Sequence, residues 1–99
     1  MSIRFGINGF GRIGQLVLRA LVTTGKGSVT AINDPALTPE YAAYLLKYDT
    51  AHGRFPGEVS HFDNGIIVNG QKIYLFNEFN PADIPWGKHG ADFVCESTG

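Results

Sequence analysis

Gly9-Phe10-Gly11-Arg12-Ile13-Gly14 constrains this chain more than any other stretch. Glycine supplies 13 of the 99 residues, so a G-x-G-x-x-G spacing carries little weight until its surroundings are read. Before it, Ile3 to Asn8 is β-branched and aromatic with Arg4 and Gly6 interleaved, and it stops at the turn pair Asn8-Gly9, the pattern of a short buried strand. After it, Ile13, Leu16, Val17, Ala20 and Leu21 recur at helical spacing while Arg12, Gln15 and Arg19 fall on the other side. The spacing predicts a helix from Arg12 whose apolar set faces a core and whose polar set faces water. Gly25 and Gly27 stop that helix, because glycine accepts the left-handed conformation of a helix end, and Ser28 to Asn33 reads as a second strand.

A glycine-rich turn between a strand and a helix is suited to a diphosphate. Gly9 permits the tight turn, Gly11 lets the backbone approach a ligand with no Cβ in the way, and Gly14 lets the helix pack closely on the strand. The unpaired N–H groups of the first helical turn, at the positive end of the helix dipole, form an anion site to which Arg12 and Ile13 bring backbone amides. Asp34 ends the second strand 20 residues beyond Gly14, where an acid is expected to bind ribose hydroxyls. A carboxylate there would repel a 2′-phosphate, which favours NAD over NADP. The expected cofactor contacts in this half of the chain are Asn8, Gly9, Phe10, Gly11, Arg12, Ile13 and Asp34. A triphosphate-binding P-loop is excluded, since Gly14 is followed by Gln15-Leu16 instead of Lys and a hydroxyl residue.

The rest of the chain continues the alternation of strand and helix. Thr38-Pro39 is a helix start, with a hydroxyl cap and a proline whose missing N–H is not needed, and the helix is expected from Pro39 to Tyr48. Glu58 to Phe62, Ile66 to Asn69 and Gln71 to Phe76 read as a β meander joined at Asp63-Asn64-Gly65 and Asn69-Gly70. A loop with one helical turn follows, punctuated by Asn80-Pro81 and Pro85-Trp86-Gly87, before a last strand from Ala91 to Cys95. The fold class is α/β: an incomplete doubly wound, mainly parallel sheet of Rossmann type with a β-meander insertion, residues 1–99 being the amino-terminal part of an NAD(P)-binding domain. In such a sheet the fourth parallel strand crosses to the far side of the first and leaves a ligand crevice at the switch point.

Composition removes several classes of function. Eight Lys and Arg against nine Asp and Glu give a formal charge of -1 with no run of either sign, which argues against nucleic acid and anionic membrane as partners. No segment has the roughly 20 apolar residues of a spanning helix, and Met1-Ser2-Ile3-Arg4 has no apolar signal core, so a cytoplasmic protein is expected. The single Cys95, between apolar neighbours, is expected to be a buried structural thiol. His52, His61 and His89 lack metal-ligand spacing among themselves or with Cys95, so no metal site is expected.

Four motifs together resemble phosphorylating glyceraldehyde-3-phosphate dehydrogenases: Gly6 to Gly14, Asn33-Asp34-Pro35, Lys47-Tyr48-Asp49-Thr50-Ala51-His52-Gly53-Arg54-Phe55, and Glu96-Ser97-Thr98-Gly99. The likeness runs over essentially all 99 residues. It implies a protein that oxidises glyceraldehyde 3-phosphate, passes hydride to NAD and forms a cysteine thioester that inorganic phosphate then cleaves to an acyl phosphate, and that assembles as a homotetramer. It also implies that the catalytic domain is absent from this chain, because the family's Ser-Cys-Thr-Thr-Asn motif and its histidine have no counterpart here, so the piece itself is expected to be inactive. Ser97, Thr98 and Gly99 become expected neighbours of the cofactor, and His52 takes a structural role by the same likeness. Two positions depart from the pattern. Phe79 in Glu78-Phe79-Asn80-Pro81 replaces the family's usual arginine at a candidate adenine contact, and Gln15 stands where many relatives have arginine. Erythrose-4-phosphate dehydrogenase and a non-enzymatic dinucleotide-binding module are the alternative readings.

Overall fold

A computed structural model describes residues 3–48, 55 and 57–97. Its elements run β1 (Ile3–Asn8), α1 (Arg12–Thr24), β2 (Gly27–Asn33), α2 (Pro39–Lys47), β3 (Val59–Phe62), β4 (Gly65–Val68), β5 (Gln71–Phe76) and β6 (Phe93–Glu96), with 3-10 turns at Pro81–Asp83 and Gly87–His89. The strands form one six-stranded sheet in the order β3-β4-β5-β2-β1-β6. β5, β2, β1 and β6 pair in parallel. This is the expected doubly wound half: three parallel strands side by side, with the fourth beyond β1. The meander is not a separate insertion, because β5 pairs antiparallel with β4 on one edge and parallel with β2 on the other.

Local chemistry explains most element boundaries. Gly25 caps α1 at φ 69° and its N–H donates to the Leu21 carbonyl at 3.0 Å. The Thr38 hydroxyl accepts from the Tyr41 N–H at 3.2 Å, with Pro39 in the first turn of α2. Asn69 and Gly70 both have positive φ (51° and 84°), which is the mirror-image turn that joins twisted antiparallel strands. The last strand is displaced from its expected span and runs from Phe93 to Glu96.

Both helices close one core against one face of the sheet. Ile7, Phe10, Leu18, Ile32, Leu46 and Ile66 are its largest fully buried apolar side chains. The opposite face is crossed by the 77–92 connection, which lays the Trp86 indole over Gly6 and packs His89 against Tyr74 and Phe76. Strand alternation explains the partition, since Ile7 points to one side and Gly6 to the other.

Two sequence expectations fail here. In α1 the buried residues are Gly14, Leu18 and Arg19; of the expected apolar face Val17 and Leu21 pack against the core, whereas Ile13 and Leu16 are exposed and Ala20 faces solvent. The helix is apolar on more than one side, and its rotation is set by Gly14. A Cβ there would overlap the Gly9 carbonyl oxygen and crowd Ile7 and the Ser97 hydroxyl, so the Gly14 side is the one that faces the sheet. Arg19 is thereby carried to the core margin, where its guanidinium lies 5.6 Å from the Phe55 ring centroid. Cys95 is half-buried and Phe93 and Val94 are exposed, because β6 is the outer strand beside β1 among the described residues.

Gly14→Ala places a methyl group against main-chain atoms that cannot swing away, as overpacking does, and should cost about 1–3 kcal/mol of stability. Denaturant unfolding checks this. A midpoint equal to that of the parent chain contradicts the packing account.

Candidate functional site

The site lies at the carboxyl ends of the parallel strands β2, β1 and β6, where the strand order switches from one side of β1 to the other. Gly9 leaves β1 with φ 94°, a backbone that side chains other than glycine rarely adopt, and its N–H donates to the Asn33 carbonyl at 2.7 Å. The turn is therefore tied to the end of the neighbouring strand. Gly11 is the N-cap of α1, in extended backbone with no side-chain cap. A Cβ built on Gly11 meets nothing within 4 Å. Arg12 and Ile13 are exposed, and among the described residues no side chain caps the first amides of α1.

Asp34 faces this mouth. Its Oδ2 accepts from the Phe10 N–H at 3.0 Å and its Oδ1 accepts from the Ala36 N–H at 3.0 Å. The backbone around it is held too: the Asp34 N–H donates to the Phe76 carbonyl at 2.9 Å, and the Asn77 amide donates to the Asp34 carbonyl at 2.9 Å. A carboxylate oxygen has two lone-pair directions, so each oxygen keeps one for a ligand hydroxyl while the other fixes its aim. Phe10 contributes through its main chain alone, since its ring is fully buried in the core and its N–H is bound to Asp34.

Behind the turn, polar side chains lace the strand ends together. The buried Asn33 amide donates to Asn8 Oδ1 at 3.0 Å and to the Glu78 carbonyl at 3.1 Å, while Asn33 Oδ1 accepts from the Glu78 N–H at 2.9 Å. The Asn8 amide in turn donates to both carboxylate oxygens of Glu96, at 3.2 and 3.1 Å. Asn8 thus lines the site with its side chain committed to its neighbours. Ser97 clips the end of β6 to the turn: its hydroxyl donates to the Gly9 carbonyl at 2.6 Å and its N–H to the Asn8 carbonyl at 2.8 Å. Thr98 and Gly99, the other expected residues here, lie outside the described residues, as does His52.

These elements enclose a cavity of about 400 Å³ lined by Asn8, Asn33, Pro35, Glu78, Phe79, Ile84 and Glu96. Among the described residues its lining carries two carboxylates and no cation. Sequence reasoning found Asn8 and Phe79 but missed Asn33, Pro35, Glu78, Ile84 and Glu96 as wall residues. The missing signal was strand register, which sets Asn8 opposite both Asn33 and Glu96. Elsewhere, the Arg4 guanidinium holds the exposed Asp92 carboxyl below its usual range, at the opposite end of β1 from this site. Among the described residues no three His, Cys, Asp or Glu gather as a metal would require, and no helix is long and apolar enough to cross a membrane.

Comparison with known proteins agrees with this geometry. Residues 3–99 match the family model described as "Glyceraldehyde 3-phosphate dehydrogenase, NAD binding domain". Among curated relatives, all of this chain aligns with the glyceraldehyde-3-phosphate dehydrogenases of Debaryomyces hansenii (56% identical, 30% of that protein's length), Yarrowia lipolytica (54%, 29%) and Aspergillus niger (52%, 30%). The chain thus spans about 30% of the length of the relatives it matches. An uncapped helix mouth, a glycine turn and a braced acid at the end of the second strand are what that match leads one to expect, and the chain belongs to the glyceraldehyde 3-phosphate dehydrogenase family, by its NAD-binding domain.

Proposed function

We propose that the chain is the amino-terminal, cofactor-binding part of a phosphorylating glyceraldehyde-3-phosphate dehydrogenase, and that Asp34 and the open amides of α1 divide NAD between them. The observation that carries this reading is the Asp34 carboxylate, held 3.0 Å from the Phe10 N–H and beside the uncapped start of α1. NAD, when bound, supplies the acceptor for hydride; every residue described here serves to hold and orient it. The amides of Arg12 and Ile13 take the diphosphate, where the helix dipole favours negative charge. Gly11 leaves room for that approach. The spare lone pairs of Asp34 accept from the ribose hydroxyls, and the same charge opposes a 2′-phosphate. Ser97 sets the height of the turn through Gly9, and family likeness assigns Thr98 and Gly99 to the cofactor as well.

The reaction we assign to the longer protein is oxidation of glyceraldehyde 3-phosphate with inorganic phosphate, through a cysteine thioester, in a cytoplasmic homotetramer. Likeness to relatives that all carry the glyceraldehyde-3-phosphate dehydrogenase name favours that sugar over erythrose 4-phosphate. No residue of this chain is assigned as nucleophile or base, and Cys95 sits half-buried in β6.

Two substitutions test the assignment. Gly11→Ala meets no described atom within 4 Å, so the only stability cost is alanine's poorer fit at an N-cap, about 1 kcal/mol, while NAD affinity falls at least about tenfold because the new methyl group stands in the diphosphate's path. Asp34→Ala should weaken NAD by roughly tenfold or more, the loss of a hydrogen bond to a charged acceptor, and should narrow the preference over NADP. Calorimetric titration with both cofactors measures each effect. Unchanged NAD affinity in either variant contradicts the assignment.

A further inference from the structure

Between the Asn8 and Gly11 carbonyls, every backbone polar group of the glycine turn but one has a partner among the described residues. The Asn8 carbonyl accepts from the Ser97 N–H and the Gly9 carbonyl from the Ser97 hydroxyl. The Gly9 N–H donates to the Asn33 carbonyl and the Phe10 N–H to Asp34. The Phe10 carbonyl accepts from the Gln15 side-chain amide at 3.3 Å, and the Gly11 carbonyl from the Gln15 backbone N–H at 3.0 Å. The Gly11 N–H alone donates to nothing among the described residues.

Gln15 decides where that free N–H points. Its backbone N–H makes the first rung of the α1 ladder, to Gly11, and its side chain adds a further rung, to Phe10, where no backbone donor is available. The Phe10 carbonyl is thereby drawn along α1 toward a residue one turn ahead, as a carbonyl inside a helix is. A peptide unit is planar and trans, so its C=O and N–H point in opposite directions. Drawing the Phe10 carbonyl into the helix turns the Gly11 N–H outward past the helix start, in the direction of the first-turn amides. The neighbouring peptide planes are set from other strands, by Asn33, Asp34 and Ser97; this one is set by Gln15, which is half-buried on α1 itself.

We propose that Gln15 is a positioning residue for the cofactor: by holding the Phe10 carbonyl it aims the Gly11 N–H at the diphosphate, as a third donor beside the amides of Arg12 and Ile13. This rests on the NAD reading above. Gln15→Met keeps the length and the helix propensity of the side chain and removes the donor, so the unfolding midpoint should stay close to the parent value while NAD binds roughly 3- to 10-fold more weakly, the worth of one misaligned hydrogen bond. Gln15→Arg returns a donor to the same place and should restore affinity. The test combines calorimetric titration of NAD into the parent chain, both Gln15 variants and Asp34→Ala with the displacement of the Gly11, Arg12 and Ile13 amide resonances at saturating NAD.

Weakened binding by Gln15→Met, with the Gly11 displacement diminished while Arg12 and Ile13 still move, and recovery of both affinity and displacement in Gln15→Arg, support the proposal. Parent affinity in Gln15→Met overturns it. So does weakened binding in which Gly11 moves as it does in the parent, or in which all three displacements shrink together with the unfolding midpoint, the mark of a merely structural role. If Asp34→Ala weakens NAD and Gln15→Met does not, the clamp alone is wrong. If NAD binds the parent chain and none of the three resonances moves, the diphosphate lies elsewhere and the clamp falls with that reading.

Discussion

A carboxylate at the tip of β2 reaches across to the backbone of the glycine turn that leaves β1, and the rest of the site is arranged around that bond. The Asp34-to-Phe10 hydrogen bond joins two segments that are neighbours only because β1 and β2 pair in parallel, residue Asn8 against Asn33. The Gly9 N–H to Asn33 carbonyl bond reinforces the same junction. Together they fix where α1 begins, and therefore where its unpaired amides point. A charged acceptor serves here better than a neutral one, since it binds main-chain donors more strongly and still has capacity for a ligand.

The second constraint is the polar lacing below the turn. Asn33 is 2% exposed and Asn8 7%, which would be costly for amides without partners, yet together they bridge the ends of β2, β1 and β6 and the segment after β5. That lacing does for the mouth of the crevice what side-chain packing does for the core: it leaves a single arrangement of strand ends. A cavity with a rigid floor follows, and the walls that remain apolar are Pro35, Phe79 and Ile84.

What the sequence made legible was local. Gly25, Thr38-Pro39 and Asn69-Gly70 each act through their own backbone or their nearest neighbours, and each ends or starts an element where expected. The glycine turn and Asp34 were legible too, because their spacing encodes a strand, a helix and a strand. What was hidden depends on partners distant in the chain. The buried side of α1 could not be chosen from periodicity, as apolar residues lie on two sides and contact at Gly14 selects between them. Trp86 on Gly6, the double pairing of β5 and the asparagine lacing are of the same kind. Cys95 read as buried from its neighbours, but burial of β6 depends on what covers its faces.

The central claim, that bare main-chain amides at the start of α1 receive the diphosphate, is most directly tested by following the backbone amide resonances of the chain as NAD is added. The largest perturbations should fall on Gly11, Arg12 and Ile13, with the Gly25 amide at the far end of α1 left unmoved. Saturable binding that shifts resonances elsewhere while those three stay in place would contradict the account.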